Sequence, residues 1–227
     1  MPRALLVVLS GVLLALSASA SAQMCAGSAS YAHRSFKVAG AAEFNHNAKS
    51  FTGALGFGGT GAFGEVGIGT TSYTNINGSS TTFGGGAGYQ VTLGQKGNVQ
   101  LCPTAGVAFL SGPNNVDVFG DGSVVLDFRE TDLSFALTLG VEAARSGQTQ
   151  IIPTVSIAFV SATAKVHDRV SGNSQSNGQT FGTLGLGLGF VINQTVTLRP
   201  MVSIPVGLDG ASTVFGGTIS VNFGSSR

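Results

Sequence analysis

Tryptophan is absent from this chain of 227 residues, and charge is scarce: 11 Lys and Arg stand against 10 Asp and Glu, 9% of the whole. A soluble exported domain normally carries about 25% charged residues, so the composition argues against a free globule. The net charge of +1 offers no basic surface for nucleic acid and no pull on a polyanionic partner. Long apolar runs are missing too. Beyond the N-terminal leader no stretch approaches the roughly 18 apolar residues of a spanning helix. Only two cysteines occur, Cys25 and Cys102, too few for a structural zinc site. In an oxidising compartment the pair can close a disulfide; two free thiols are the other reading. His33, His46 and His167 are scattered along the chain and form no metal motif, so no cofactor is expected.

What the chain has is glycine, 35 residues of it, a 43% apolar content and a mean hydropathy of +0.34. The stretch from Thr183 to Ile192 shows how the two combine. Leu184, Leu186, Leu188, Phe190 and Ile192 occupy every second position, with Gly185, Gly187 and Gly189 between them. A period of two is a β-strand whose successive side chains face opposite ways. A half-buried soluble strand would fill the alternate face with Lys, Glu or Gln. Here that face is nearly bare, as expected when one side meets lipid and the other a narrow, crowded lumen.

Met1 to about Ala22 reads as a signal peptide: Arg3 supplies the positive start, Leu5 to Leu16 the apolar core, and Ala20-Ser21-Ala22 a small-x-small cleavage site. About a dozen apolar residues are too few to span a bilayer. The sequence before Cys25 lacks the Leu-x-small pattern of a lipidation site. Residues 23–34 are then a periplasmic tail, residues 35–223 the barrel and residues 224–227 a short C-terminal tail. Within 35–223 the alternation defines about ten runs, with turns at Asn45–Ala48, Gly58–Gly61, Gly94–Asn98, Arg145–Gln148 and Asn193–Thr195. Longer polar connections fall at Thr74–Ser80, Ser111–Ser123 and His167–Gln179. Pro103 inside its run would normally demote that strand. Short turns alternating with longer polar loops are the asymmetry of an up-and-down antiparallel transmembrane β-barrel, with the loops external. The expected fold class is therefore all-β, a barrel of about ten strands, or eight if the weakly apolar first hairpin lies outside it. No backbone group is left unsatisfied in hydrocarbon by such closure.

These features together resemble the small outer-membrane β-barrel family, the OmpA-like and opacity-like porin-fold proteins of the Gram-negative envelope, over Ser35 to Phe223. The resemblance implies an outer-membrane location and outer-membrane lipid as a partner. It also implies assembly by the barrel-assembly machinery, which in that family reads an aromatic residue closing the last strand. Phe223 ends the run from Phe215 and fits that role, although Gly224-Ser225-Ser226-Arg227 follow it. The family's interfacial Trp and Tyr are replaced here by Phe, as at Phe36, Phe44, Phe51, Phe57, Phe109 and Phe190. A shared architecture transfers no specific activity.

Several local patterns need weighing. Gly59-Thr60-Gly61-Ala62-Phe63-Gly64 spells G-x-G-x-x-G, but a strand-like run follows where dinucleotide binding requires a helix. His167-Asp168 is the one place where a lipid hydrolase could be sought, yet adjacent strand residues face opposite ways. The acidic series Asp117, Asp121, Asp127, Glu130 and Asp132, with Arg129 among them, reads as a solvated loop or a weak cation site. Lys37, Glu43, Glu65, Glu142 and Arg199 are the charges whose parity turns them inward. A charge facing lipid at the midplane would cost about 2–4 kcal/mol. They either pair across a filled lumen or line a narrow water path. A barrel this small is largely filled by side chains.

The sequence thus predicts a non-enzymatic barrel with a structural or surface-interaction role and an unidentified external ligand. The alternatives are a narrow porin-like channel, a lipid-modifying barrel enzyme, and a soluble secreted Gly-rich β-protein. A closed barrel resists mild detergent, so the unboiled protein will run at a different gel mobility from the boiled one. Identical mobilities would remove the barrel.

Overall fold

The computed structural model describes residues 35–58, 61–74, 78–93, 98–117, 119–208 and 210–223; the predicted leader and both tails lie outside them. Ten long strands account for nearly all of it: β1 (Ser35–Phe44), β2 (Ala48–Gly58), β3 (Ala62–Tyr73), β4 (Ser79–Tyr89), β5 (Val99–Ser111), β6 (Val125–Val141), β7 (Thr149–Asp168), β8 (Ser174–Ile192), β9 (Val196–Val206) and β10 (Val214–Phe223). Each pairs antiparallel with its neighbours in sequence, and β1 pairs with β10 from Phe36↔Phe223 to Phe44↔Phe215. The ring is closed. The first hairpin is part of it, which settles ten strands over eight.

Parity works as the alternation predicts, with the usual sense inverted. Outward residues are apolar and exposed: Ile68, Phe83, Phe135, Phe159 and Phe215 among them. Inward residues are polar or small and buried, including Ser50, Thr71, Thr82, Gln100, Thr154 and Ser203. Only a surrounding solvent less polar than the interior makes that arrangement stable. The chain is a membrane-spanning β-barrel of the outer-membrane type. The longest connection, from Ser111 to Val125, and the extended ends of β7 and β8 lie at the end opposite Ser35 and Phe223, which makes that end the external one and the Ser35 end the periplasmic one.

Three outward prolines show how strands survive a missing N–H. Opposite Pro103 the ladder from β4 lapses after Gly88↔Thr104, then resumes in the same register at Val91↔Leu101. Opposite Pro200 the β8–β9 ladder skips from Gly187↔Met201 to Phe190↔Leu198. The β6–β7 ladder stops at Thr154, next to Pro153. In each case the other flank stays paired, as Pro103↔Leu137, Pro200↔Gly217 and Pro153↔Leu188. The strand is therefore kept, against the demotion the sequence suggested.

The other departure concerns strand length. β7 and β8 run to 20 and 19 residues and β6 to 17, well past the 9–11 that cross a membrane. Most of the predicted loop His167–Gln179 is strand, leaving only residues 169–173 as the tip, and β6 begins at Val125. These three strands stand beyond the apolar band as an external sheet.

Single cysteines at Leu137, Leu186 and Ile204 should resist a water-soluble maleimide that labels Val170→Cys at the tip. Replacing Leu137 by Arg should cost about 2–4 kcal/mol in vesicle unfolding; a neutral result would mean this face does not meet lipid.

Candidate functional site

The lumen is the first place to look for function, and its bare wall has a purpose. A Cβ on Gly187 would sit 2.8 Å from Arg199 Nε, and one on Gly216 would sit 2.9 Å from Glu43 Cγ. Glycine on one strand thus lets a long side chain from the next lie flat across it. Arg199 in turn donates from Nη2 to Thr154 Oγ1 at 3.4 Å and interacts with the charge of Glu43. Lys37 Nζ stands 3.5 Å from Glu65 Oε2 with both groups buried, a contact between charges at the long limit of a hydrogen bond.

Four of the predicted lumen charges, Lys37, Glu43, Glu65 and Arg199, are placed inward and buried. Glu142 keeps the inward parity but is only part-buried: at the periplasmic rim its carboxylate takes Arg145 Nε at 2.7 Å, Arg145 Nη2 at 2.9 Å and Nε2 of inward-facing Gln150 at 2.9 Å. That guanidinium holds the Glu142 carboxyl below its ordinary range. Two acids were missed. Glu130 and Asp132, read as loop residues, lie on β6 pointing inward and buried. Their alternation with Arg129, Thr131 and Leu133 was the available signal. The buried lumenal charges among the described residues are then four acids and two bases.

Apolar groups line the lumen toward both ends. Toward the outside Val160, Ala162, Phe181 and Val214 form a buried cluster, and Leu208 and Ala211 of the β9–β10 connection pack against it. Toward the periplasm Ile152 and Val191 pack together with no exposed surface. Cys102, on the same side, is buried, points inward and is not a free thiol. Cys25, its partner in the sequence reading, lies outside the described residues. Phe223 ends β10 on the outer face, its ring 6.3 Å from that of Phe36 across the closing seam.

The external sheet carries the remaining candidates. His167 faces outward and Asp168 the other way, so the adjacent pair shares no site. His167 Nδ1 instead meets Ser174 Oγ at 3.0 Å, and Asp127 lies opposite His167 on β6. Ser, His and Asp in one row suggest a nucleophile and its base, but the third member is occupied. Asp127 accepts the Asn115 amide at 2.9 Å and Arg169 Nε at 2.7 Å. Those two bonds, the amide first, hold its carboxyl below the ordinary range. At the tip, Asp168 accepts Ser171 Oγ at 2.6 Å and the Val170 amide at 3.0 Å, and its carboxyl is lowered likewise, chiefly by Ser171.

The acidic series does not assemble. Asp117 accepts the amides of Phe119, Gly120 and Gly122, while Glu130 and Asp132 are in the lumen. No group of three or more His, Cys, Asp or Glu among the described residues could hold a metal ion. Of the G-x-G-x-x-G motif, Gly59 and Thr60 lie outside the described residues, and β3 follows directly.

No protein-family model matches the chain, and no curated protein sequence does. Solved structures do. The N-terminal β-barrel domain of Pseudomonas aeruginosa OprF is 11% identical over 85% of this chain and 100% of its own, with a TM-score of 0.39. The translocator domain of the autotransporter NalP from Neisseria meningitidis is 12% identical over 85% and 87%, at 0.47. Ail, the attachment invasion locus protein of Yersinia pestis, is 13% identical over 85% and 100%, at 0.41. These scores are low, and the barrel assignment rests on the strand pairing above.

Two predictions follow from this geometry. Lys37→Met or Glu65→Gln alone should destabilise the barrel by about 3–5 kcal/mol, because each strands a buried charge or its partner, and the double variant should recover most of it; urea unfolding in lipid vesicles reads the difference. The lowered carboxyls of Asp127 and Asp168 mean that their support of the tip is complete above the ordinary carboxylate range and lost as pH falls through the lowered values. A spin label at Val170→Cys should stay immobile from pH 8 to 5 and loosen only below about pH 4.

Proposed function

We propose that this barrel is a non-enzymatic structural and surface-interaction protein of the outer membrane, with a lumen that does not conduct in its resting state. What supports the reading is the makeup of the lumen wall. Apolar clusters lie toward both ends, with paired charges and flat-lying side chains between them. Ten strands enclose little space to begin with. The external sheet of β6, β7 and β8 and its tip form the interacting surface. A Cys25–Cys102 bond would tie the segment ahead of β1 to β5, four strands around the ring, which supports the same closed state. Phe223 at the seam is where the barrel-assembly machinery would engage.

The channel reading has one observation in its favour, the excess of two acids among buried lumenal charges, which would make any pore cation-selective. In planar bilayers the protein should give no steady ohmic steps. Regular steps whose ion preference changes on Arg199→Glu would establish the channel instead. The hydrolase reading predicts that His167→Ala and Ser174→Ala alter membrane lipid composition; we expect no change.

A further inference from the structure

On the outer face of the external sheet, Arg129 of β6 and Lys165 of β7 are direct partners across the ladder. Both are exposed. Side chains so placed have Cβ atoms about 4.5–5.5 Å apart, and like charges there destabilise a sheet. Neither has an ion pair among the described residues. The same rung continues to Ser111 on β5, opposite Arg129, and to Ser176 on β8, opposite Lys165. Four neighbouring strands therefore present, in a row, hydroxyl, guanidinium, ammonium and hydroxyl.

The acid nearest on this face does not neutralise them. Asp127, one rung further out, is engaged by Arg169 Nε and the Asn115 amide. Asp168 turns to its own tip, while Glu130 and Asp132 face the lumen. The rung next toward the membrane is Phe109, Thr131, Thr163 and Gly178, and the one after it brings Leu133. Arg129 stands two rungs above outward Leu133 and Lys165 three above outward Phe159, which sets both at headgroup depth on the external side.

We propose that the row Ser111, Arg129, Lys165 and Ser176 is a binding site for a phosphorylated lipid headgroup of the external leaflet. A guanidinium forks onto phosphate oxygens and an ammonium supplies a compact charge beside it. The anion removes the repulsion between the two cations, and the flanking hydroxyls donate to its remaining oxygens. The lipid source follows from position: acyl chains of the same molecule would lie along Phe109, Leu133, Phe135 and Phe159 directly beneath. The site rests on the membrane placement of the barrel and is independent of whether the lumen conducts.

The test compares the full-length protein with Arg129→Gln/Lys165→Gln in neutral-lipid nanodiscs, with Lys49→Gln as an exposed control on β2, across the barrel. Boiled and unboiled gel mobility confirms folding of each. Lipid A and its dephosphorylated form are added, and retained lipid is counted by native mass spectrometry alongside thermal unfolding. Wild type and Lys49→Gln should retain lipid A and gain thermal stability from it. The double variant should retain at least fivefold less and lose the gain, while unfolding at a higher temperature than wild type in neutral lipid alone. Dephosphorylated lipid should do nothing in any protein. Equal retention by the folded double variant would overturn the site. Displacement of lipid A by millimolar inorganic phosphate, with equal binding of the soluble anion, would overturn the lipid assignment.

Discussion

Within hydrocarbon no water is available to an unpaired N–H or C=O, and each one left bare costs several kcal/mol. The seam between β1 and β10 is the consequence on which everything else here depends. With Phe36↔Phe223 through Phe44↔Phe215 in register, the ring has no edge strand. Closure also fixes which residues face lipid, because a slip of one position at the seam would turn Lys37 and Glu43 outward and Phe36 and Phe44 in. The repulsion of those charges by lipid and the burial of the phenyl rings in it therefore act together as the register lock.

Closure explains choices that look unfavourable one at a time. Proline removes a ladder bond, yet Pro103 and Pro200 each keep one paired flank, and each missing bond is confined to a single interruption in an otherwise continuous register. Glycine packs nothing of its own, yet Gly187 and Gly216 make a floor for Arg199 and Glu43. A ten-strand ring is too narrow for long side chains to stand upright on every strand. Alternating a long residue with a bare neighbour fills it without overlap, and the low charge of the chain follows from how few such groups one lumen can hold.

Much of the barrel was legible because a strand between two unlike solvents leaves a period-two pattern. Thr183 to Ile192 read correctly down to the face of each leucine, and the parity of Lys37, Glu43, Glu65 and Arg199 followed from the same rule. What failed were strand ends. Glu142 sits one residue past Val141, on the inward parity and bonded to inward Gln150, but so near the rim that it is only part-buried and shared with Arg145. Glu130 and Asp132 were lost in the opposite way: acids next to Asp127 looked like a loop, though they alternate with outward residues of a strand continuing from Val125. The contact of Lys37 with Glu65, two strands apart, depends on closure and register, and no local pattern in the sequence encodes it.

The long strands also record where the membrane stops. Along β7 the apolar residues face out at Val155, Ile157 and Phe159, then face in at Val160, Ala162 and Ala164, with Ser161, Thr163, Lys165 and His167 now outward. The phase inverts at Phe159–Val160. On β8 the same change separates inward Phe181 from outward Leu184. Below that line the outer solvent is oil and the polar groups must hide inside. Above it the outer solvent is water and on β7 and β8 the ordinary rule returns, while Glu130 and Asp132 of β6 still face in, opposite Ala164 and Ala162. Two apolar residues in succession within a strict alternation are thus a mark of the hydrocarbon boundary in the sequence itself. It places Lys165, and Arg129 beside it, on the wet side of that boundary while leaving both within a side chain's reach of the headgroups.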